Sequence, residues 1–134
     1  MSKPIPILIC DDESHILHVL GIKLRDAGFK VLTASDGDEG WRLVKQHAPQ
    51  CVITDVLMPG IDGLDLCRKT REHPPTQESV LVLLTGRGSS LNDEQLEPLN
   101  LSAIFSKPFS PREVLTHIKA QLTPHQAKAS EADG

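Results

Sequence analysis

The stretch Cys51-Val52-Ile53-Thr54-Asp55-Val56-Leu57-Met58-Pro59-Gly60 constrains the fold more than any other part of the chain. Four uncharged residues, three of them apolar, run into a single carboxylate, and a Pro-Gly turn follows. A continuous run of this kind suits a strand buried on both faces of a parallel sheet. Asp55 then stands at the strand's C-terminal end, where open α/β sheets place their ligands. A carboxylate there needs a cation or a chemical task, because an unpaired buried charge is too costly.

The flanking sequence repeats the same alternation. Residues 4–10 are a short apolar run that ends abruptly in Asp11-Asp12-Glu13, and a helical period follows, with Leu17, Leu20, Leu24 and Ala27 on one face. Gly28 is placed to stop that helix in a left-handed conformation. Lys30–Ala34 reads as a second strand. Asp36 with Glu39 starts a second helix, whose inner face is Leu43, Val44 and Ala48, and Pro49 ends it. Residues 62–72 form a third helix closed by Pro74-Pro75, and residues 80–84 a buried strand ending in Thr85-Gly86. A fourth helix over 91–99 is interrupted by Pro98. Ala103–Ser106 is a last short strand leading to Lys107-Pro108-Phe109. Ser110, Pro111 and Glu113 are a cap, a first-turn proline and a capping-box acid for a final helix, with Val114, Leu115, Ile118 and Leu122 inward.

Five βα units predict a doubly wound five-stranded parallel sheet with helices on both faces, (βα)5 and flavodoxin-like, in strand order 2-1-3-4-5. The chain of 134 residues reads as one domain over residues 1–122 with a polar, aperiodic tail over 123–134. The net charge of −4, with Lys and Arg scattered, argues against direct nucleic-acid binding. The apolar runs are far too short for a membrane span and the N-terminus lacks a signal-peptide core, so the expected location is the cytoplasm. Three cysteines without metal-ligand spacing fit it. With Asp11 and Asp55 level, Cys10 and Cys51 are offset by roughly three residues, or about 10 Å, too far for a disulfide.

Polar groups recur at the strand ends: Asp11 and Asp12 after the first, Asp55 on the third, Thr85 after the fourth, Lys107 after the fifth. Parallel topology brings all of these to one edge. Three converging carboxylates repel one another unless a divalent cation joins them, and hard oxygen ligands suit Mg2+ or Mn2+. A hydroxyl and an ammonium opposite would satisfy a phosphoryl group, making a site for phosphoryl transfer to a carboxylate.

The motifs Asp11-Asp12-Glu13, Asp55-Val-Leu-Met58-Pro59-Gly60, Thr85-Gly86 and Lys107-Pro108-Phe109, in this order and spacing, resemble those of a response-regulator receiver domain over residues 5 to about 122. The resemblance implies that Asp55 accepts a phosphoryl group from a histidine kinase or histidine phosphotransfer protein. It implies Mg2+ held by Asp12, Asp55 and the Leu57 backbone carbonyl, with Asp11 acting through water. It further implies Thr85 and Lys107 on the phosphoryl oxygens, a small Gly86 leaving access, and a cis Lys107-Pro108 bond aiming the lysine inward. Oligomeric state is expected to be a monomer or a weak, phosphorylation-dependent dimer. No output domain follows within the chain, which is either a stand-alone regulator or a piece of a longer protein.

Other readings fit less well. A haloacid-dehalogenase-like aspartyl-phosphate hydrolase needs an acid two residues after the nucleophile, where this chain has Leu57. A flavodoxin-like electron carrier needs a phosphate-cradling first loop, which Asp11-Asp12-Glu13 would repel. A non-phosphorylated receiver-like binding module has no need of the full acidic set. His15 and His18 lack a third ligand, Gly86-Arg87-Gly88 lacks the last glycine of a dinucleotide fingerprint, and Asp36-Gly-Asp-Glu leaves calcium-loop positions unfilled. Trp41 reads as helix packing.

The chain departs from the family at position 104, where many receivers carry an aromatic residue and this one has Ile104. Output is therefore expected through small packing shifts around Ile104, Phe105 and the last helix. Leu57 and Arg87 stand two residues beyond Asp55 and Thr85, where side chains can screen a phosphoryl group from water. Replacing Leu57 with Asn is expected to shorten the life of the phosphorylated protein, measured as decay of the phosphoryl adduct by intact mass; an unchanged lifetime would remove any screening role for Leu57.

Overall fold

The computed structural model describes residues 4–86 and 90–122. Arg87 and the tail over 123–134 lie outside the described residues. In chain order the elements are β1 (Pro6–Cys10), α1 (Ser14–Asp26), β2 (Lys30–Ala34), α2 (Gly37–His47), β3 (Cys51–Asp55), α3 (Gly63–Glu72), β4 (Val80–Thr85), α4 (Asp93–Leu96), β5 (Ala103–Ser106) and α5 (Pro111–Leu122). All pairings are parallel and the strand order is β2-β1-β3-β4-β5, the expected doubly wound sheet.

Side-chain alternation along the strands divides the interior into two cores. Ile7, Ile9, Cys51, Ile53, Val82 and Leu84 face Leu20 and Leu24 of α1 and Val114, Ile118 and Leu122 of α5. Leu8, Cys10, Val52, Leu81 and Leu83 point the other way, toward Val44 of α2 and Leu66 and Cys67 of α3. The central strand β3 is buried at all five positions, which is why its sequence shows no polar alternation.

Local signals act as read, with a few differences. Gly28 takes φ 98°, and Phe29 N–H returns to Leu24 O, so the chain turns straight from α1 into β2. Asp36 accepts from Glu39 N–H at 2.8 Å, but the Glu39 carboxylate reaches back to Ser35 N–H rather than to Asp36. Ala27, expected on the inner face of α1, is exposed because the helix has already ended. The fourth helix is a single turn from Asp93, capped reciprocally by Asn92 and Gln95, followed by a 3-10 turn over Glu97–Leu99. Pro98 and the left-handed Asn100 (φ 51°) end it there. Trp41 packs on the second core, edge-on to His73 and beneath the Lys45 and Lys69 ammonium groups.

Cys10 is paired with Thr54 and Cys51 with Ile7, so the two cysteines are three residues apart along the sheet and face opposite cores. All three thiols are free and buried. Burial pushes Cys10 and Cys67 up to about 12, so they stay protonated and unreactive.

Arg71, on α3, has a role that its sequence does not advertise. Its guanidinium donates to the carbonyls of Gln77, Ser79, Leu99 and Asn100, at 2.6–3.1 Å. It thereby pins the turns before β4 and before β5 to one helix. Truncation to Ala strands four carbonyl acceptors and is expected to cost about 2 kcal/mol in urea unfolding with an unchanged slope. Arg71→Lys is expected to recover little, since one ammonium cannot span the fork.

Candidate functional site

Strand alternation decides where the carboxylates point. Ile7 and Ile9 face α1 and α5, and Asp11 continues that face beyond the end of β1. Cys51, Ile53 and Asp55 do the same on β3. Because Cys10 is paired with Thr54, Asp11 falls level with Asp55. Asp12, next in the chain, is exposed. One carboxylate oxygen from each of Asp11, Asp12 and Asp55 can be chosen so that all lie within 4.8 Å of one another.

The loop after β3 is held by close backbone approach. A β-carbon at Gly63 would collide with the Asp55 carbonyl oxygen, and Gly63 N–H donates to Val56 O at 2.8 Å. A β-carbon at Gly37, the first residue of α2, would collide with the Ile61 carbonyl. The segment carrying Leu57 to Gly60 is thus clamped between α2 and α3. Leu57 itself is 53% exposed, at the rim.

Each buried carboxylate has one oxygen fixed by backbone. Asp11 Oδ1 accepts from Glu13 N–H at 2.9 Å, and Asp55 Oδ1 from Val56 N–H at 2.8 Å. Their Oδ2 atoms face Lys107, whose Nζ lies 3.0 Å from Asp11 Oδ2 and 3.3 Å from Asp55 Oδ2. The ammonium's shortest contact is with neither: Glu13 Oε2 is 2.8 Å away. Asp11 Oδ2 makes an ion pair but has no hydrogen-bond partner among the described residues. Lys107 is held from behind by its own N–H, which donates to Thr85 O at 2.7 Å, and its bond to Pro108 is cis. Thr85 ends β4 beside Ser106 and is partly buried, and Gly86 leaves open space around it, a β-carbon there reaching only to 3.8 Å from the lysine.

The electrostatics are those of an under-neutralised pocket. Burial, partly offset by Glu13 N–H and Lys107, pushes the Asp11 carboxyl above the usual aspartate range. Burial and then the Asp11 charge push Asp55 up in the same direction. Burial would lower the Lys107 ammonium, but Glu13 and Asp11 outweigh it and hold it above the usual lysine range. The bond from Lys107 holds Glu13 below its ordinary value. A carboxyl raised by folding stabilises the fold only at low pH, and that contribution is lost as pH rises through the raised value. In their charged forms Asp11 and Asp55 therefore work against the fold. A buried oxygen whose one partner is an ammonium shared with two other carboxylates, with a third aspartate beside it, is the donor set of a hard divalent cation that keeps several waters. Mg2+ and Mn2+ both fit.

The structure brings together Asp11, Asp12, Asp55 and Lys107 as the sequence implied, with Thr85 at the adjacent strand end. Ile104 and Phe105 lie one strand further out. Ile104 is 44% exposed, and the Phe105 ring meets His117 of α5 edge-on at 6.1 Å. His117 Nε2 is 2.6 Å from Ser102 Oγ. The ion pair of Glu13 was not foreseen; the only signal for it was a third acid directly after Asp12.

Residues 7–119 match the family described as the response regulator receiver domain. The chain is 35% identical over 130 residues to the protein called response regulator Rre1 of Synechocystis sp.; the match covers 96% of this chain but only 56% of that one, so this chain spans just over half its length. Among solved structures, a putative response regulator from Chloroflexus aurantiacus is similar at 34% identity and TM-score 0.77, covering 88% of this chain and 97% of that one. The chemotaxis response regulator CheY4 of Vibrio cholerae is similar at 25% identity and TM-score 0.79, covering 90% and 100%. With the family matched over most of its length and the fold shared, the chain belongs to the response-regulator receiver domains of two-component signalling.

Proposed function

We propose that Asp55 is the phosphoacceptor, taking a phosphoryl group from the phosphohistidine of a histidine kinase or histidine phosphotransfer protein. The observation that carries this reading is a nearly buried Asp55 sharing one small space with Asp11, Asp12 and the Lys107 ammonium. Asp55 Oδ2, the oxygen not tied to backbone, attacks phosphorus. The bond from phosphorus to the imidazole nitrogen breaks, that nitrogen keeps the electron pair and takes up a proton, and Asp55 is left as a mixed anhydride. Lys107, already beside Oδ2, pairs with a phosphoryl oxygen. The Thr85 hydroxyl donates to another, and Gly86 leaves access. Asp12, Asp55 and the Leu57 carbonyl, with Asp11 through water, would hold Mg2+ (or Mn2+), which when bound would supply positive charge against the phosphoryl oxygens.

On this reading the protein is a phosphoacceptor rather than a turnover enzyme, and assists only its own phosphorylation and dephosphorylation. Leu57 supplies no acid or base for an external substrate. The output is a change of protein contacts at Ile104 and Phe105, as a monomer or weak dimer. Residues 1–122 form the receiver and 123–134 an appended tail. Among the described residues no helix is long and apolar enough to cross a membrane. The three buried free thiols fit the reducing cytoplasm.

Incubation with acetyl phosphate and Mg2+ is expected to add one phosphoryl group by intact mass, and the Asp55→Asn variant is expected to add none. An adduct that survives the substitution would move the acceptor elsewhere. The same variant has a second expected effect. In chelator at neutral pH it removes one of the mutually repelling carboxylates, so it should melt about 2–5 °C above the wild type by calorimetry. Mg2+ should raise the melting temperature of the wild type more than that of the variant.

A further inference from the structure

Glu13 stands just outside the acidic set, and nothing in the proposed chemistry uses its side chain. It occupies the N-cap of α1, where its carbonyl accepts from Ile16 and Leu17 N–H. Its carboxylate makes no capping bond. Instead it reaches Lys107 Nζ, 94 residues away in sequence, at 2.8 Å. The ammonium has three protons and three carboxylate neighbours. Two of these, Asp11 and Asp55, are almost wholly buried, while the Glu13 side chain is 56% exposed. The nearest anion to Lys107 is thus the one facing solvent.

This arrangement matters because Lys107 and a divalent cation would draw on the same carboxylates, Asp11 and Asp55. Lys107 lies against Asp11 Oδ2 and Asp55 Oδ2, and bringing a second cation among these carboxylates means loosening one or both contacts. Without another anion, the ammonium would have to give them up to partial solvation, and would resist displacement. Glu13 offers a charged alternative that a small movement of the lysine tip already reaches. Its backbone adds a second link, since Glu13 N–H fixes Asp11 Oδ1.

We propose that Glu13 is a positioning residue that holds the Lys107 ammonium toward solvent, and so lowers the lysine's competition with the divalent cation at Asp11 and Asp55. The inference rests on the cation site described under the proposed function. A negative charge near a cation also raises affinity through space, with no help from the lysine. The two effects separate in a double-mutant cycle.

Mg2+ affinity is measured by calorimetry on the full chain for wild type, Glu13→Gln, Lys107→Met and the double variant. Gln keeps the backbone N–H bond to Asp11 and removes only the charge. Glu13→Gln alone is expected to weaken Mg2+ binding about two- to fivefold, the range of an exposed ion pair. Lys107→Met is expected to tighten it. In the Lys107→Met background, Glu13→Gln is expected to change affinity by less than about 1.5-fold, since the competitor is gone. An equal effect of Glu13→Gln in both backgrounds makes Glu13 a through-space charge only and overturns the inference while leaving the cation site standing. No change on Glu13→Gln in the wild-type background overturns it as well. Failure of the wild type to bind Mg2+ removes the cation site itself, and the inference with it. Circular dichroism of each variant checks folding.

Discussion

The architecture depends on one electrostatic constraint: carboxylates crowd the C-terminal edge of a buried sheet, and among the described residues a single ammonium, that of Lys107, lies among them. Asp11 and Asp55 are there because β1 and β3 are in register and alternate toward the same face. Removing either charge from water is expensive, and Lys107 offsets only part of the cost. The groups around them limit how far they can relax. Val56 and Glu13 N–H each fix one oxygen, Gly63 and Gly37 bring the loop against α3 and α2, and the Lys107 backbone is tied to Thr85. The pocket is preorganised and electrostatically costly, and the two buried cores beneath it, rich in Ile, Leu and Val, hold it in place.

Much of this was legible in the sequence, for a reason peculiar to parallel sheets. Every strand ends at the same edge, so a polar residue closing each apolar run is placed without knowledge of any side-chain contact. Asp11, Asp12, Asp55, Thr85 and Lys107 could be gathered in this way. The cysteines could be excluded as a disulfide from register alone. What stayed hidden needed three-dimensional choices. Glu13 reads as a favourable charge at a helix start, and only its side-chain direction reveals the bond to Lys107. Arg71 reads as a basic residue in a last helical turn, yet it ties together two turns that come six and more residues later. Ala27 continues the apolar period of α1, but Gly28 has already turned the chain. Period reports a face only while the helix lasts.

The same geometry bears on how a change at the acidic edge reaches the surface. β5 is an edge strand of four residues that alternates between the two sides of the sheet. Ile104, paired with Leu83, lies on the second-core side, in a cleft of about 530 Å3 bordered by Asp93, Leu96 and Glu97 of the α4 region. Phe105, paired with Leu84, lies on the first-core side against His117 of α5. Lys107 follows directly after this strand, and Thr85 closes the strand it pairs with. On the proposed function, a shift of either toward a phosphoryl group would pull on both faces of β5 together.

The two faces are not equally stiff. On the α5 side, Val114 and Ile118 are fully buried, and His117 is tied to Ser102. On the α4 side, the helix is one turn long and has no buried residue. Its C-terminal end is anchored by Leu99 in the core and by Arg71 on the Leu99 and Asn100 carbonyls. The α4 turn has the Leu91 and Leu96 contacts with the second core and the Asn92–Gln95 cap, but no fully buried residue of its own. An aliphatic Ile104 suits this arrangement. It has no polar tip to exchange between inner and outer positions, so on the proposed function what it would transmit is displacement of the strand itself, passed by contact to the α4 region beside it.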